Sequence, residues 1–484
     1  MAKITRVSDD ALIVLDNLSN AASHLFEPTL RFGVTGLSRA GKTVFITSLI
    51  HNLLNGGRLP LFSAQAEGRI ENARLSPQPD DAVPRFKYEQ HLEALLADRV
   101  WPNSTSAISQ IRLRIAYQSA SGWTRTFGAG ELTLDIIDYP GEWLLDLPLL
   151  GKSFSEWSAE ALKLSRLPAR IDLAKQWHSA LAETDPTIPE SDVTAEKLAA
   201  TFTTYLRACR ADEAALSTLP PGRFLMPGDL EGSPALTFSP LQLSEGARPE
   251  DGTLHAMMER RFEAYKNLVI RPFFLEHFAR LDRQIVLVDA LQALNAGPSA
   301  VSDLQNAISD ILECFNPGKR SWLTSLFSTR TDRILFAATK ADHLHHENHD
   351  RLEAILQQLV GDAVQKAEFS GAQTDIVALA AIRATTEADM KEGGDTLPVI
   401  VGTPKKGERL GKKLFDGDTK TALFPGDLPE DPDEALASGG VEGDLRFLRF
   451  RPPSIQKTTE GMILSLPHIR LDRALEFLLG DKLQ

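Results

Sequence analysis

The sequence contains a complete phosphate-binding loop motif. Residues 36–43 read GLSRAGKT and match the pattern G-x-x-x-x-G-K-[ST] in full. Glycines let backbone N–H groups turn inward around phosphate oxygens, and the start of the following helix adds positive potential. Lys42 is expected to neutralise the β- and γ-phosphates of a nucleotide, and the Thr43 hydroxyl to bind Mg²⁺. The predicted nucleotide contacts in this loop are Gly36, Ser38, Arg39, Ala40, Gly41, Lys42, Thr43 and Val44.

A second motif is typical of a sensor for the terminal phosphate. Residues 138–141 read DYPG and follow an apolar run. The Asp138 carboxylate is expected to bind Mg²⁺ and the Gly141 N–H to donate to the γ-phosphate, so that hydrolysis releases the loop. The next residue is Glu142, at the position where many small GTPases carry glutamine. A carboxylate can orient water there, but it repels the phosphate, which predicts that intrinsic hydrolysis is slow or depends on another group.

A third motif predicts which base is bound. Residues 339–342 read TKAD, a form of the guanine-specificity pattern [NT]-K-x-D. The Asp342 carboxylate can accept from both N1–H and the exocyclic amine of guanine, and adenine offers neither donor at that edge. The aliphatic stem of Lys340 is expected to lie across the base, and Thr339 completes the predicted contacts. An ordinary strand followed by a capped helix is the alternative interpretation.

Two further loops complete the predicted site. Ala381 and Ile382 follow the next apolar run and are expected to present backbone N–H groups to guanine O6. Residues 101–105 read WPNST and precede another strand, where Thr105 is the best-placed hydroxyl for Mg²⁺ and the γ-phosphate. The neighbouring serines compete with it for this role. Three arginines are candidates for a catalytic arginine, although each is more typical of a surface or packing residue: Arg39, Arg99 and Arg112.

These motifs require a sheet that brings several strand ends together. Six short apolar runs are predicted as strands, and helical patterns follow several of them. Near-continuous apolar runs are typical of parallel strands covered on both faces, and strand–helix alternation predicts a doubly wound α/β sheet. The six runs are residues 30–35, 111–117, 132–138, 285–289, 334–338 and 375–380.

The chain divides into five predicted regions. Between residues 141 and 283 the strand pattern stops and apolar positions recur at helical spacing over residues 154–164, 194–209 and 254–281, which predicts a helical insertion. After about residue 393 the composition changes again. The regions are an N-terminal helix (1–28), the first part of a nucleotide-binding domain (29–143), the helical insertion (144–283), the second part of the nucleotide-binding domain (284–392) and a C-terminal extension with a final amphipathic helix (393–484).

Composition excludes several classes of protein. The 484 residues are 43% hydrophobic and 24% charged, as in ordinary globular proteins. The net charge of −13 disfavours broad binding to nucleic acid, so no nucleic-acid partner is expected. Two cysteines are too few for a disulfide scaffold or a four-thiolate metal site. No cleavable leader and no run of about 18 apolar residues is recognised, so a cytoplasmic protein without a transmembrane segment is expected.

Three polar features are interpreted as structural. His345 and His349 have a spacing that can bind Zn²⁺, but they directly follow the base-specificity motif, where a helix start is expected. Cys209 lies within a helical pattern that lacks the context for an activated thiol. Asp289 ends the fourth predicted strand at the edge of the sheet that would face a nucleotide.

Longer segments around the motifs resemble the bacterial YcjX-like family of predicted P-loop GTPases. The segments are GLSRAGKTVFITSLIHNLL (36–54), WPNST (101–105), LDIIDYPGEWLLDLPLL (134–150), IVLVDALQALNAG (285–297), TKADHLHHENHDRL (339–352), LFPGDLP (423–429) and FRPP (450–453). The resemblance covers nearly the whole chain. Taken with the strand pattern, it predicts a Ras-like P-loop NTPase fold of the α/β class. The sheet is expected to have about six mostly parallel strands, with a helical insertion and a C-terminal α+β extension.

The resemblance also implies a biological setting. The family is associated with stress responses, including the phage-shock regulon of proteobacteria, and usually appears beside a small inner-membrane protein, YcjF. This implies a cytoplasmic protein that acts near the inner membrane, with a protein effector or a YcjF-like partner. In the family an arginine often precedes the threonine of the Trp-Pro segment. Ser104 occupies that place here, which weakens a catalytic arginine at this position.

The predicted function is that of a GTP-binding protein that hydrolyses GTP to GDP and phosphate slowly with Mg²⁺ and acts as a nucleotide-dependent switch in a stress response. The predicted catalytic residues are Lys42, Thr105, Asp138, Gly141 and Glu142. The predicted metal ligands are Thr43, Thr105 and Asp138. Two alternatives remain: a nucleotide-dependent scaffold with negligible turnover, and an ATP-using P-loop enzyme acting on a small substrate, against which Asp342 argues.

Overall fold

A seven-stranded sheet forms the centre of the computed structural model. The structure describes residues 29–37, 39–103, 107–120, 130–211, 219–244, 246–313, 331–392, 395–437, 445, 448–455 and 465–484. The strands of the sheet are β1 (Thr29–Gly36), β2 (Ile70–Ser76), β3 (Ser109–Tyr117), β4 (Gly130–Asp138), β5 (Arg283–Val288), β6 (Arg333–Ala338) and β7 (Gln373–Ala378). The predicted N-terminal helix (1–28), Ser38 and Thr105 lie outside the described residues.

The sheet is mostly parallel, and its strand order is β2-β3-β4-β1-β5-β6-β7. Strands β4, β1, β5, β6 and β7 are all parallel to one another. Strand β3 is antiparallel to both β2 and β4. The carboxyl ends of the five parallel strands therefore meet at one edge of the sheet, where α/β folds of this kind bind their ligands. The predicted fold class, a Ras-like P-loop sheet, is confirmed.

The sheet has one more strand than the apolar runs indicated, because β2 is an edge strand with a weak pattern. Only Ile70, Ala73 and Leu75 of this strand pack against the core. A register shift between Ile70 and Asn72 breaks the alternation that would identify a half-buried strand.

Strand β5 begins two residues before the predicted apolar run, at two buried polar side chains. Arg283 is 1% exposed, and its guanidinium donates to the Asp481 carboxylate over 2.6 Å. The Gln284 amide donates to the Thr35 hydroxyl of β1 over 2.9 Å. Buried polar groups are tolerated when they are paired in this way. Because these two residues are polar, a search for apolar runs does not include them in the strand.

Helices cover both faces of the sheet. The α-helices of the described residues, including those outside the sheet layers, are α1 (Lys42–Leu54), α2 (Ser63–Ala66), α3 (Tyr88–Glu93), α4 (Gly141–Leu144), α5 (Phe154–Ser165), α6 (Lys175–Ala182), α7 (Asp192–Ala211), α8 (Leu254–Tyr265), α9 (Arg271–Glu276), α10 (Ala290–Ala296), α11 (Pro298–Glu313), α12 (His349–Phe369), α13 (Pro432–Leu436) and α14 (Leu471–Leu479). Successive strand residues point to opposite faces. Ile285 and Leu287 accordingly pack with α1 and α14, whereas Val286 and Val288 pack with α10, α11 and α12.

The chain between β4 and β5 is helical or irregular throughout its described residues, and it has an aromatic core of its own. Trp157 and Trp177 are buried at its centre, and the Trp157 ring stacks on Phe262 with centroids 5.0 Å apart. The helical pattern predicted over residues 254–281 forms two helices, α8 and α9, joined by a π-helical turn at Lys266–Ile270. The helix predicted over residues 194–209 is longer and forms α7.

The C-terminal part of the chain forms a second small sheet and then returns to the first. Strands β8 (Thr386–Glu392), β9 (Asp395–Gly402) and β12 (Thr421–Leu423) form an antiparallel sheet, and β10 (Arg409–Leu410) pairs with β11 (Lys413–Leu414). Helix α14 packs on the large sheet, where Leu475 and Leu478 are fully buried. Among the described residues, none of the helices is both long and apolar enough to cross a bilayer.

Candidate nucleotide-binding site

The loop after β1 has the backbone conformation that a phosphate-binding loop requires. Gly36 and Gly41 have φ angles of 147° and 90°, in the region that favours glycine. A Cβ atom on Gly36 would lie 2.5 Å from the carbonyl oxygen of Leu287 in β5, so no other residue fits there. Arg39 also has a positive φ, of 66°. Gly41 is the N-cap of α1, so the loop leads directly into the N-terminus of that helix, where the helix dipole favours an anion.

The Lys42 side chain lies inside this loop. Its ammonium donates to the carbonyl oxygens of Gly36 over 2.9 Å and Leu37 over 3.3 Å, and the residue is only 7% exposed. Burial lowers the pKa of the Lys42 ammonium, whereas the nearby negative charges of Asp138 and Glu142 raise it. Lys42 is thus a buried cation that faces two carboxylates.

Two oxygen donors of the predicted metal site lie beside this lysine. Asp138 ends β4, is 1% exposed and pairs in register with Val34 of β1. Thr43 is in the first turn of α1 and is 7% exposed. A carboxylate and a hydroxyl are ligands that suit Mg²⁺, a hard cation. These two residues therefore fit that ion chemically.

The base-specificity motif follows β6 and is tied to the neighbouring strands. The Thr339 N–H donates to the Val288 carbonyl of β5 over 2.9 Å. Lys340 has a φ of 63°, and its ammonium pairs with the Asp289 carboxylate at the end of β5. The Asp342 carboxylate accepts the Ala384 N–H over 2.8 Å and is 5% exposed. Asp289 thus positions the lysine of the motif, and Ala384 positions its aspartate.

The loop after β7 is fixed by α1 and by the C-terminal segment. The Ser48 hydroxyl of α1 donates to the Ala381 carbonyl over 2.6 Å. Ala380 and Ile469 exchange backbone hydrogen bonds of 3.1 and 2.9 Å. Ile382 is 4% exposed. The structure therefore brings Ala381 close to the helix that begins at the phosphate-binding loop.

The Trp-Pro segment packs against the C-terminal extension. The Trp101 indole donates to the Phe450 carbonyl over 2.7 Å, and the Arg99 guanidinium donates to the Pro452 carbonyl over 3.0 Å. The Phe450 ring in turn lies 5.5 Å from the His343 ring, which directly follows Asp342. This aromatic residue therefore connects the segment before β3 with the base-specificity motif.

Other polar residues singled out in the sequence have structural partners. Arg112 makes a bidentate pair with the buried Asp135, with distances of 2.6 and 2.7 Å. The His349 ring bonds through Nε2 to the Ala341 carbonyl over 2.9 Å. Cys209 is buried in the core of the helices between β4 and β5.

Comparison with known proteins identifies the family of this chain. A sequence model of the YcjX-like family, DUF463, matches residues 30–483. The chain is a member of the YcjX-like family. The resemblance predicted from the motifs is thereby confirmed.

Two curated relatives match the YcjX-like chain over almost its full length. A protein of Escherichia coli (strain K12) named "Ras-like GTPase YcjX" is 39% identical over 469 residues, which cover 94% of this chain and 96% of that protein. A protein of the same name from Shewanella oneidensis (strain ATCC 700550 / JCM 31522 / CIP 106686 / LMG 19005 / NCIMB 14063 / MR-1) is 35% identical over 483 residues, which cover 94% of this chain and 95% of that protein.

In this YcjX-like chain, the helices between β4 and β5 contact the residues that follow the D-x-x-G motif. Glu142 is 4% exposed, and its carboxylate pairs with Arg210 at the end of α7. The Arg223 guanidinium lies 3.2 Å above the centroid of the Trp143 ring. A charged contact and a cation–π contact therefore join the inserted helices to the two residues after Gly141.

A third contact is made by a buried carboxylate. Asp146 accepts hydrogen bonds from the Gly222 N–H over 2.7 Å, the Arg223 N–H over 3.3 Å and the Tyr265 hydroxyl over 2.7 Å. Burial raises the pKa of Asp146 to about 6, although these donors and the Arg223 charge lower it in part. The carboxylate thus joins three separate segments at one point.

This carboxylate predicts a pH-dependent difference between the wild type and Asp146→Asn. Because the pKa is raised in the folded state, the contribution of Asp146 to stability is present at low pH and is lost as pH rises through about 6. Relative to Asp146→Asn, the wild type should gain about 1 kcal/mol of unfolding free energy between pH 7.5 and pH 5. Thermal denaturation midpoints of both proteins across this range measure the difference.

The exposed Asp251 provides a matched control for that experiment. Asp251→Asn makes the same chemical change at an exposed position, so the thermal midpoint should stay close to that of the wild type throughout the pH range. A difference between wild type and Asp146→Asn that does not vary with pH would contradict the raised pKa.

The sequence motifs did not indicate Arg210, Arg223 or the pairing of Lys340 with Asp289. Each of these contacts joins residues that are far apart in the chain and depends on tertiary folding. For Asp146 a signal exists, because it is the one acidic residue of LLDLPLL, residues 144–150. An acidic residue within a buried apolar run needs hydrogen-bond donors, and such an exception to the pattern identifies a buried polar contact.

Proposed function

We propose that this chain binds GTP and hydrolyses it to GDP and phosphate with Mg²⁺. The observation that carries the proposal is the placement of three motifs at one edge of the sheet. Lys42, Asp138 and Asp342 follow β1, β4 and β6, whose carboxyl ends all lie at that edge. A P-loop lysine, a phosphate sensor and a guanine-reading carboxylate at one edge form the set of parts that a GTPase requires. The names of both curated relatives support this chemistry.

Each residue has a role that follows from its place. The N–H groups of the loop from Gly36 to Val44 would bind the phosphates, with Lys42 neutralising their charge. Gly141 would donate its N–H to the γ-phosphate. Asp342 would accept from the guanine base, with Thr339 and Lys340 beside it and Ala381 and Ile382 near O6. Thr43 and Asp138, together with Thr105, would bind Mg²⁺, which supplies positive charge to the β- and γ-phosphate oxygens.

We further propose that hydrolysis is slow and that the protein is a nucleotide-dependent switch. Glu142 occupies the place of a water-orienting glutamine, and in this structure its carboxylate is engaged by Arg210. Movement of Gly141 with the nucleotide state would be transmitted through Glu142 and Trp143 to α7 and to the segment around Arg223. The inserted helices would thus report whether GTP or GDP is bound.

The biological setting is proposed from the family resemblance alone. It comprises a role in a bacterial stress response, action near the inner membrane, and a protein effector or YcjF-like membrane partner. The switch mechanism suggests where such a partner would bind, namely at the inserted helices that contact the residues after Gly141.

The Lys42→Ala variant tests the proposed function. We expect about a 10- to 100-fold loss of GTP affinity, because a charge-assisted contact to phosphate is removed. The measurement is competition of GTP and ATP against fluorescent GDP with Mg²⁺, together with phosphate release. Lys391→Ala, in an exposed position on β8, is the control and should bind as the wild type does.

The same experiment distinguishes the alternatives. Equal competition by ATP and GTP in the wild type would indicate an ATP-using P-loop enzyme. Tight GTP binding without phosphate release would indicate a scaffold that uses nucleotide only to set the affinity for its partner.

A further inference from the structure

The guanidinium of Arg210, in the helices between β4 and β5, lies beside the phosphate-sensor motif D-x-x-G at residues 138–141. It lies one residue before the end of α7, whose neighbouring side chains Leu206 and Cys209 are fully buried in the core of these helices. The Arg210 side chain leaves that core and pairs with the carboxylate of Glu142, the residue directly after Gly141. The Arg210 side chain is 27% exposed and the Glu142 side chain 5% exposed, so the pair is largely shielded from solvent.

The Arg210 charge also acts on the phosphate-binding loop itself. It is one of the charges that shift the pKa of Lys42, along with Asp138 and Glu142. Arg210 and Lys42 are therefore two cations that both interact with the Glu142 carboxylate. This is the region where negative charge develops during phosphoryl transfer, and where fixed positive charge stabilises the transition state.

Three other arginines have structural partners, whereas Arg39 is exposed in the phosphate-binding loop. Arg112 forms its bidentate pair with Asp135, and Arg99 donates to the Pro452 carbonyl. Arg223 lies against the face of Trp143. Arg210, in contrast, is paired with a residue of the sensor loop that is proposed to move with the nucleotide state.

We propose that Arg210 is the catalytic arginine of GTP hydrolysis, supplied in cis by the helical insertion and positioned by Glu142. This inference rests on the proposed function. With GTP bound, the guanidinium exchanges the Glu142 carboxylate for the γ-phosphoryl oxygens, and Glu142 becomes free to accept a hydrogen bond from the attacking water. The water oxygen forms a bond to the γ-phosphorus as the bond to the β–γ bridging oxygen breaks.

Electrons and protons balance in this step without a further reactant. The electron pair of the broken bond passes to the β-phosphate of GDP, and the protons of the water are divided between inorganic phosphate and solvent. Two N–H groups of a guanidinium can donate to the phosphoryl oxygens at once, in a planar geometry that an ammonium cannot reproduce.

Single-turnover GTP hydrolysis by Arg210→Ala tests the proposal. We expect a rate about 100-fold or more below that of the wild type, the scale at which catalytic arginines act. Affinity for GDP should change less than about 3-fold, because GDP lacks the γ-phosphate. Arg207→Ala is the matched control: it is exposed on the same helix, one turn earlier, and should hydrolyse GTP at the wild-type rate. Arg210→Lys keeps the charge beside Glu142 and should still be slow.

A second variant separates catalysis from neutralisation of Glu142. If Arg210 only neutralised that carboxylate, Glu142→Gln would restore the rate of Arg210→Ala. We expect the double variant to remain slow, and we expect GDP with aluminium fluoride to be trapped by the wild type but not by Arg210→Ala. Restoration of the rate in the double variant, or a wild-type rate in Arg210→Ala, would overturn the inference while leaving the GTPase function intact. A wild type that binds no GTP or releases no phosphate would instead overturn the proposed function, and the inference with it.

Discussion

The Asp342→Asn variant is expected to lose about 100-fold or more of its affinity for GTP and to gain affinity for XTP. Asparagine replaces one carboxylate oxygen with an NH₂ group, which would face the N–H donors of guanine. Charge-assisted hydrogen bonds contribute about 1.5–3 kcal/mol each, so the loss of two accounts for this magnitude. Xanthine carries a carbonyl oxygen where guanine carries its amine, and the new NH₂ group can donate to it.

The structure makes this substitution a clean test. The Asp342 carboxylate accepts the Ala384 N–H over 2.8 Å, and the amide oxygen of asparagine can accept the same bond. The loop beyond β7 therefore keeps its contact with residue 342, and folding should be preserved. Competition of GTP, XTP and ATP against fluorescent GDP measures the change, with fluorescent XDP as the probe for the variant.

Asp362→Asn is the control for nucleotide specificity. It makes the same chemical change at an exposed position of α12, and its order of preference should match that of the wild type. A variant Asp342→Asn that still prefers GTP over XTP would show that another group reads the base. Equal binding of ATP and GTP by the wild type would refute guanine recognition itself.

The parallel part of the sheet was predictable because its signals are local. Strands β1, β4, β5 and β6 are covered on both faces, so they appear as short apolar runs in the sequence. The buried part of the apolar run that indicates the edge strand β7 consists of the last two residues of the strand and the two residues that follow them. Strand β2 lacks that signal because it lies at the edge of the sheet with mostly polar residues. The first two residues of β5 lack it because Arg283 and Gln284 are buried through pairing with distant partners.

In the candidate site, too, the motifs could be predicted from neighbouring residues, whereas the contacts that position them could not. The phosphate-binding loop, the D-x-x-G motif and the T-K-x-D motif each occupy a single turn after a strand, so spacing alone identifies them. The contacts that position these motifs are made across the chain: Asp289 and Lys340 are 51 residues apart, and Asp146 and Gly222 are 76 residues apart. No pattern of a few residues encodes such pairs, because they form only when separate elements pack together.

Gly222→Ala is expected to destabilise the protein strongly. Gly222 joins the helices between β4 and β5 to the residues that follow the D-x-x-G motif. A Cβ atom on Gly222 would lie 1.8 Å from the carbonyl oxygen of Glu142, a backbone atom that cannot move independently. The backbone must shift, and the hydrogen bond from the Gly222 N–H to the buried Asp146 carboxylate is then lost. An unfolding free energy lower by about 3 kcal/mol or more is expected, because a buried carboxylate loses a donor and backbone strain is added.

The same substitution at another glycine, Gly361→Ala, should raise the unfolding free energy instead of lowering it. Gly361 lies in α12 with open space where a Cβ atom would be added, and alanine favours a helix over glycine by about 1 kcal/mol. Thermal denaturation of both variants measures the contrast, and GTP hydrolysis by Gly222→Ala should fall with its stability because Glu142 is displaced.

If Gly222→Ala were as stable as the wild type and equally active, the close packing of residue 222 on Glu142 could not persist in solution. The proposed transfer of a signal from Gly141 to the helices between β4 and β5 would then require another route, because the segment at Gly222 would no longer hold both the Glu142 backbone and the Asp146 carboxylate.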